Sequence, residues 1–170
     1  MIPISSAKSG GLTWSKTPDK RRYDLKRHGE IVGSFRRTSC WSSELHVESA
    51  HGEWRIRRKG VFRTEIVDAH SNARLALLRP NWSGGGRLEF MDGSTFRVAC
   101  NGFWRPVWTV WTESNQPVLS LCSCEQAVDL PEGLLVTEDR LILLAIFTWQ
   151  IMRQASEDAA SVAAVVAATS

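Results

Sequence analysis

The chain has 170 residues and a net charge of only +3, a length that suits one domain with a substantial core. Its four cysteines, Cys40, Cys100, Cys122 and Cys124, follow neither a disulfide-framework nor a zinc-ribbon spacing. Residues 1–20 contain no apolar stretch of the signal-peptide kind. A disulfide-stapled secreted scaffold is thereby disfavoured, and a reducing, cytoplasmic setting is expected.

Residues 1–21, rich in Ser, Gly, Lys and Pro, read as a flexible N-terminal arm. From residue 22 to 154 the chain reads as one domain. Its first hundred residues break into short segments of period-two alternation: Tyr23 and Leu25, Leu45 and Val47, Trp54 and Ile56, Leu88 and Phe90, Phe96 and Val98, each interleaved with polar residues. That pattern puts one face of each strand in a core and the other in water. The turns repeat as well. Turn-opening residues Lys26, Glu48, Asp68, Asp92 and Glu113 are spaced by 22, 20, 24 and 21 positions, the length of a hairpin plus its connection. Five hairpins supply ten strands, and Leu119–Val128 with Gly133–Thr137 are expected to supply two more.

The basic residues are unevenly placed. Residues 1–105 hold 19 Lys and Arg against 10 Asp and Glu, whereas residues 106–170 hold 2 against 8. The positive part coincides with the strand-rich part, so a basic face on the sheet is expected. Trp54–Gly60 is the densest basic segment. Alternation puts Arg55 and Arg57 on the outer face, with Arg58 and Lys59 at the turn, Arg63 just beyond, and Arg36 and Arg37 closing the preceding hairpin. Guanidinium forks match phosphate geometry, which makes Arg36, Arg37, Arg55, Arg57, Arg58, Lys59 and Arg63 the candidate headgroup-binding set. A solvated face with no ligand is the alternative.

Other motifs carry less chemistry. Gly84–Gly86 is followed by a strand and by no Gly-Lys-Ser/Thr, so it reads as a turn and not a phosphate loop. His28, His51 and His70 fall in turns and His46 on an outer strand position, which offers no metal-ligand set. Cys122 and Cys124 share a strand face, but two thiols fall short of a tetrahedral site, so buried free thiols are expected. Of the eight tryptophans, Trp54 and Trp149 belong to the core, Trp108 and Trp111 point to opposite faces, and an outward Trp111 or Trp41 is placed to touch a membrane interface. No nucleophile triad, acid pair or nucleotide fingerprint appears. The reading is a protein that is not an enzyme and takes no cofactor or metal.

The C-terminal part opens with Thr137 as a cap and Glu138 and Asp139 in a first turn, then runs through Leu141–Met152, apolar on every side, to Arg153. A helix is expected from about Glu138 to Gln154. Its apolar part is roughly 18 Å long, short of the about 20 residues a bilayer span needs. A helix apolar all round is buried in protein. With a sheet as its only partner, the expected fold is mainly β: a closed antiparallel barrel of about twelve strands enclosing a hydrophobic C-terminal helix, with Gly33 leaving room for it. Residues 155–170 form an Ala-rich tail. A membrane anchor made of helix and tail together is opposed by the polar break at residues 153–158, so no transmembrane span is expected.

The hairpins with Asp-Gly-type turns, the Trp-Ser-Gly-Gly-Gly connection at Trp82–Gly86 and the terminal apolar helix together resemble the tubby C-terminal-like superfamily. Within it the chain is similar to small bacterial relatives of the phospholipid scramblase and LURP-one-related branch, over roughly residues 22–153. The resemblance implies a twelve-stranded barrel around a central helix, and a module that binds anionic phospholipid or protein. Tubby domains bind phosphoinositide headgroups through basic residues on the outer wall, yet no segment here matches that site position by position. Cys122-Ser-Cys124 and Glu132, Glu138 and Asp139 lack the spacing of the scramblases' acylated and calcium-binding segments, so neither is predicted. Two functions stand. One is peripheral binding of an anionic phospholipid headgroup or membrane surface, by a cytoplasmic protein; the other is a protein-interaction scaffold with a protein partner and no lipid ligand. Nucleic acid is not an expected partner.

Overall fold

The computed structural model describes residues 11–18, 21–39, 42–60, 63–133 and 135–169. Twelve antiparallel strands follow one another in chain order around a closed barrel. They are β1 (Leu12–Lys16), β2 (Arg22–Arg27), β3 (Glu30–Arg37), β4 (Leu45–Ser49), β5 (Gly52–Lys59), β6 (Arg63–Asp68), β7 (Arg74–Pro80), β8 (Gly86–Phe90), β9 (Thr95–Asn101), β10 (Val107–Thr112), β11 (Pro117–Cys122) and β12 (Ala127–Asp129). The helix α1 spans Glu138–Thr169. Each strand pairs with its neighbours in sequence, and β1 pairs with β12 to close the ring, Leu12 opposite Val128 and Thr13 opposite Ala127.

The inward side chains are those the alternation selects. Leu25, Leu45, Val47, Trp54, Ile56, Leu88, Phe90, Phe96 and Val98 are all buried. Against them packs α1, of which every residue from Leu141 to Met152 is buried, Thr148 and Gln150 included. The helix touches β3 and β4 on one wall and β10 and β11 on another, far around the ring, as a central plug must. Trp149 lies against Phe35 and Tyr23, ring centroids 4.6 and 4.8 Å apart, and those two rings stack on each other. Of the polar helix positions, Thr148 Oγ1 donates to the Leu144 carbonyl at 2.7 Å, and Gln150 Nε2 donates to the Ser43 carbonyl at 3.0 Å, while Gln150 Oε1 is buried without a partner among the described residues. Gly33 faces the helix, and a Cβ there would stand 3.0 Å from Ile142 Cγ2.

Both ends of the apolar segment are tied to the barrel by charge. At its start the Thr137 carbonyl accepts the Leu141 N–H at 2.9 Å. Arg140 lies over the Phe90 ring, 3.7 Å from its centroid, and donates to Ser94 at 2.9 Å and Asp92 at 2.6 Å in the β8–β9 turn. Arg27 pairs with Glu138 at 3.1 Å. Where the helix leaves the barrel, Arg37 donates to Glu157 at 2.7 and 2.9 Å, Arg153 reaches the same carboxylate at 3.1 Å, and Arg58 lies 3.9 Å from Asp158.

Four expectations need correction. Leu12–Lys16, assigned to the flexible arm, is β1 and closes the barrel, with Leu12 and Trp14 in the core. Among the described residues of 133–137 there is no strand, and Leu119–Val128 contributes the end of β11 and most of β12. Ile31, which alternation with Gly33 and Phe35 puts on the inward face, is exposed: a bulge at Leu25/Lys26 sets it opposite the outward Lys26. The helix does not stop at Gln154 but continues to Thr169, as its Ala-rich composition favours. No described helix is long and apolar enough to cross a membrane.

Two outcomes test this architecture. Gly33→Val should cost about 1–3 kcal/mol through overpacking against Ile142, read as a lower thermal midpoint. Asp92 has its carboxyl held down to about 2 by Ser94 and, after it, Arg140. A depressed carboxyl stabilises above its unfolded value and loses that contribution as pH falls towards the folded one. Asp92→Asn should therefore melt lower than the parent at pH 6, by the equivalent of about 1 kcal/mol once solvent screening of this half-exposed group is allowed for. The gap should close between pH 4 and about 2, the window set by the ordinary and shifted values.

Candidate functional site

A plugged lumen leaves ligands only the outer wall and the two mouths. A cleft of about 1230 Å³ covers the outside of β2–β5 and reaches Trp149 and Arg153 at the mouth where the helix emerges. Antiparallel register builds its floor. Arg22 on β2 stands opposite Arg36 on β3, Arg36 opposite His46 on β4, and His46 opposite Arg55 on β5. Four basic side chains thus lie side by side across four strands, roughly 14 Å from first to last at about 4.8 Å per strand. Lys16, Arg21, Arg37 and Arg153 add to the same cleft.

The next outward row along these strands is acidic, Asp24 on β2, Glu48 on β4 and Glu53 on β5, with the buried hydroxyl of Ser34 between them. It answers part of the charge. Arg22 donates to Asp24 at 3.1 Å and to the Ser34 hydroxyl, and His46 lies 3.5 Å from Glu48 and 3.6 Å from Glu53. Arg55 donates to Asn72 and stands 3.9 Å from Glu44. Arg36 is exposed, and among the described residues it has no hydrogen-bond or ion-pair partner. Directly opposed like charges are unfavourable in a sheet, so an anion over Arg36 would relieve the row.

Of the seven basic residues proposed from sequence, the cleft gathers Arg36, Arg37 and Arg55. Arg57 is committed elsewhere. It donates to Glu65 at 2.6 Å, and Arg74 donates to the same carboxylate at 3.2 Å from the far side. Glu65 is only 1% exposed. Burial pushes its pKa up, but the Arg57 hydrogen bond and the charges of Arg57, Lys59 and Arg74 outweigh that and hold it below the ordinary value. Arg58 reaches the helix at the mouth, and Lys59 and Arg63 face each other across the β5–β6 hairpin. Sequence reasoning missed Lys16, Arg21, Arg22 and Arg153. Arg22 was legible from alternation alone; Arg153 needed the exit point of the helix.

A second arginine row crosses β7–β9, Arg79 opposite Arg87 and Arg87 opposite Arg97. Its members are answered in turn: Arg79 by Glu89 at 2.8 Å, Arg87 by Glu113 at 2.9 Å, Arg97 by Asn115 at 3.1 Å. Arg97 also lies over the outward, half-buried Trp111. Trp41 lies outside the described residues.

The exposed aromatics are ones that sequence reasoning did not single out. Trp82 in the β7–β8 loop is fully exposed, and Phe103 and Trp104 in the β9–β10 loop are 89% and 92% exposed. In an up-and-down barrel alternate loops share an end, so these loops flank the mouth from which α1 emerges. Gly85 secures the first loop, since a Cβ there would overlap the Val98 carbonyl. Compared with family models, with curated proteins and with solved structures, the chain matches none.

The geometry separates structural from available arginines. Arg57→Ala should destabilise by about 1–3 kcal/mol, because Glu65 stays buried with one donor fewer. Arg36→Ala should fall within about 0.5 kcal/mol of the parent. Chemical denaturation of both variants checks the pair, and equal losses would count against this assignment.

Proposed function

We propose that this protein is a non-enzymatic module that docks on anionic phospholipid at a membrane surface, with a phosphorylated headgroup held over β2–β5. The observation that carries the reading is the in-register row Arg22–Arg36–His46–Arg55, with Arg36 unanswered at its centre. Guanidinium groups take phosphate oxygens in pairs, and neighbouring strands offer such forks at a spacing suited to more than one phosphate. Trp82, Phe103 and Trp104 sit around the same mouth, where amphipathic rings suit a lipid interface. Each basic residue near an anionic surface adds about 1 kcal/mol, so the set supports weak, reversible, salt-sensitive docking. Membership of the tubby C-terminal-like superfamily belongs to the same proposal, supported by the barrel with its central helix. The three exposed aromatics also suit a protein partner, and that is the second reading.

Vesicle flotation tests it. The protein should float with vesicles containing phosphatidylserine or a phosphoinositide and not with neutral ones, and added salt should release it. Arg36→Ala/Arg55→Ala should lose most of the binding while keeping the parent's circular dichroism. Arg79→Ala/Arg97→Ala should keep it. Equal partition onto neutral and anionic vesicles, or undiminished binding by the folded Arg36/Arg55 variant, would sink the lipid reading and leave the protein-interaction barrel.

A further inference from the structure

The loop between β11 and β12 carries a cluster unconnected with the basic cleft. Cys122 ends β11, and Cys124 follows in the turn with its Sγ 2.6 Å from that of Cys122. Arg105, from the β9–β10 loop, donates through Nε to Cys124 Sγ at 3.4 Å and through its terminal nitrogen to Glu125 at 2.7 Å. Cys124 and Arg105 are exposed, whereas Cys122 is half-buried. The expectation of two buried thiols is therefore wrong for this pair. The β11 strand ends at Cys122, and the chain turns Cys124 out into solvent.

Two chemistries fit vicinal thiols, a soft metal ion or thiol–disulfide exchange. Cys122, Cys124 and Glu125 do converge closely enough to offer three ligand atoms. A guanidinium already lies against that convergence, however, bonded to two of the three ligand residues. A fixed cation there opposes a metal ion and favours a thiolate.

We propose that Cys122 and Cys124 form a redox-active dithiol that exchanges with small-molecule disulfides, with Cys124 as the attacking sulfur, Cys122 as the resolving sulfur and Arg105 as the residue that positions and stabilises the thiolate. Cys124 loses its proton to solvent and its thiolate attacks one sulfur of RSSR. The S–S bond of the reagent breaks, and RS⁻ leaves and takes up a proton. Cys122, deprotonated in turn, attacks Cys124 Sγ in the mixed disulfide, forms the Cys122–Cys124 bond and expels the second RS⁻. The protein pair is oxidised by two electrons, and one RSSR is reduced to two RSH. Geometry assigns the order, because only Cys124 is both exposed and bonded to Arg105. Hydrogen bonds from Cys122 and then Arg105 also hold the Cys124 thiol below its ordinary range, while burial pushes Cys100 above it. The same loop supplies the Gln126 carbonyl that accepts the Trp14 N–H at 3.1 Å, beside the β1–β12 closure. Oxidation would thus act next to β12, whose ladders to β1 and β11 have two residue pairs each.

The full-length protein is incubated with oxidised glutathione, and the products are followed by maleimide trapping and intact mass. The parent should lose two thiols without gaining glutathione, and peptide mapping should place the new bond between residues 122 and 124. Cys122→Ser should stop at the mixed disulfide, with one glutathione on Cys124. Arg105→Gln should react several-fold more slowly near neutral pH, and the pH at which its rate rises should move up. A merely structural role for Arg105 would leave that pH profile in place. The proposal is overturned if Cys122→Ser takes up no glutathione on Cys124, or if Cys124 reacts no faster than Cys100. Protection of the parent's pair from maleimide by stoichiometric Zn²⁺ would overturn it in favour of a metal site.

Discussion

Everything in this fold follows from a helix that has no polar side. From Leu141 to Met152 no face of α1 suits water, and a flat sheet can cover only one face of a helix. Burying all of it requires a wall all round, and twelve short strands supply one. The dependence runs both ways. Twelve strands enclose a lumen too wide for their own side chains to fill, and Gly33 shows the fit, since even one added carbon would crowd Ile142. The ladder alone would be a weak closure, because β12 has three residues and meets β1 through two residue pairs. The packed interior holds the ring shut where hydrogen bonding is thinnest.

A filled interior moves recognition outward, and the outer wall has few ways to specialise. Alternation hands it polar positions at every second residue, and register then decides which charges become neighbours. Along β7–β9 that produced arginines matched to Glu89, Glu113 and Asn115, a solvated and balanced surface. Between β5 and β7 it produced Glu65, buried under two guanidinium groups that share its carboxylate. Across β2–β5 a basic row four strands wide includes a member, Arg36, with no answer among the described residues. The three arrangements use the same residue types, so composition alone could not have ranked them.

That limit explains what the sequence disclosed. Hairpins repeat locally, and period-two alternation is a property of consecutive residues, so the run of hairpins from β2 to β11 was legible, as were the inward side chains of β2, β4, β5, β8 and β9. So was the helix, whose caps and apolar run are equally local. β1 was not legible, because five residues in a polar stretch become a strand only through partners about ten and more than a hundred residues away. The exposure of the loop aromatics was not legible for a related reason. Trp82, Phe103 and Trp104 look like core residues by type, and only the geometry of the connections that carry them puts them in water. Arg57 read as a free outer cation because its register with Glu65, and the approach of Arg74 from β7, are tertiary facts.

The two mouths of the barrel are tied to the helix with different strength. At the entry Arg140 combines a ring contact with Phe90, a carboxylate and a hydroxyl, with its side chain largely covered, and Arg27 adds a second pair. At the exit the ties are ion pairs open to water, Glu157 shared by Arg37 and Arg153, and Asp158 beside Arg58. Exposed pairs of this kind contribute about 0–1 kcal/mol each and weaken with salt. On the proposed reading this asymmetry is what lets a rigid barrel meet a charged surface. The entry fixes the plug, and the exit presents arginines whose present partners are themselves carboxylates on the emerging helix. A phosphate group could replace those carboxylates at little cost in stability, because the apolar contacts that hold the helix lie deeper, between Leu141 and Met152.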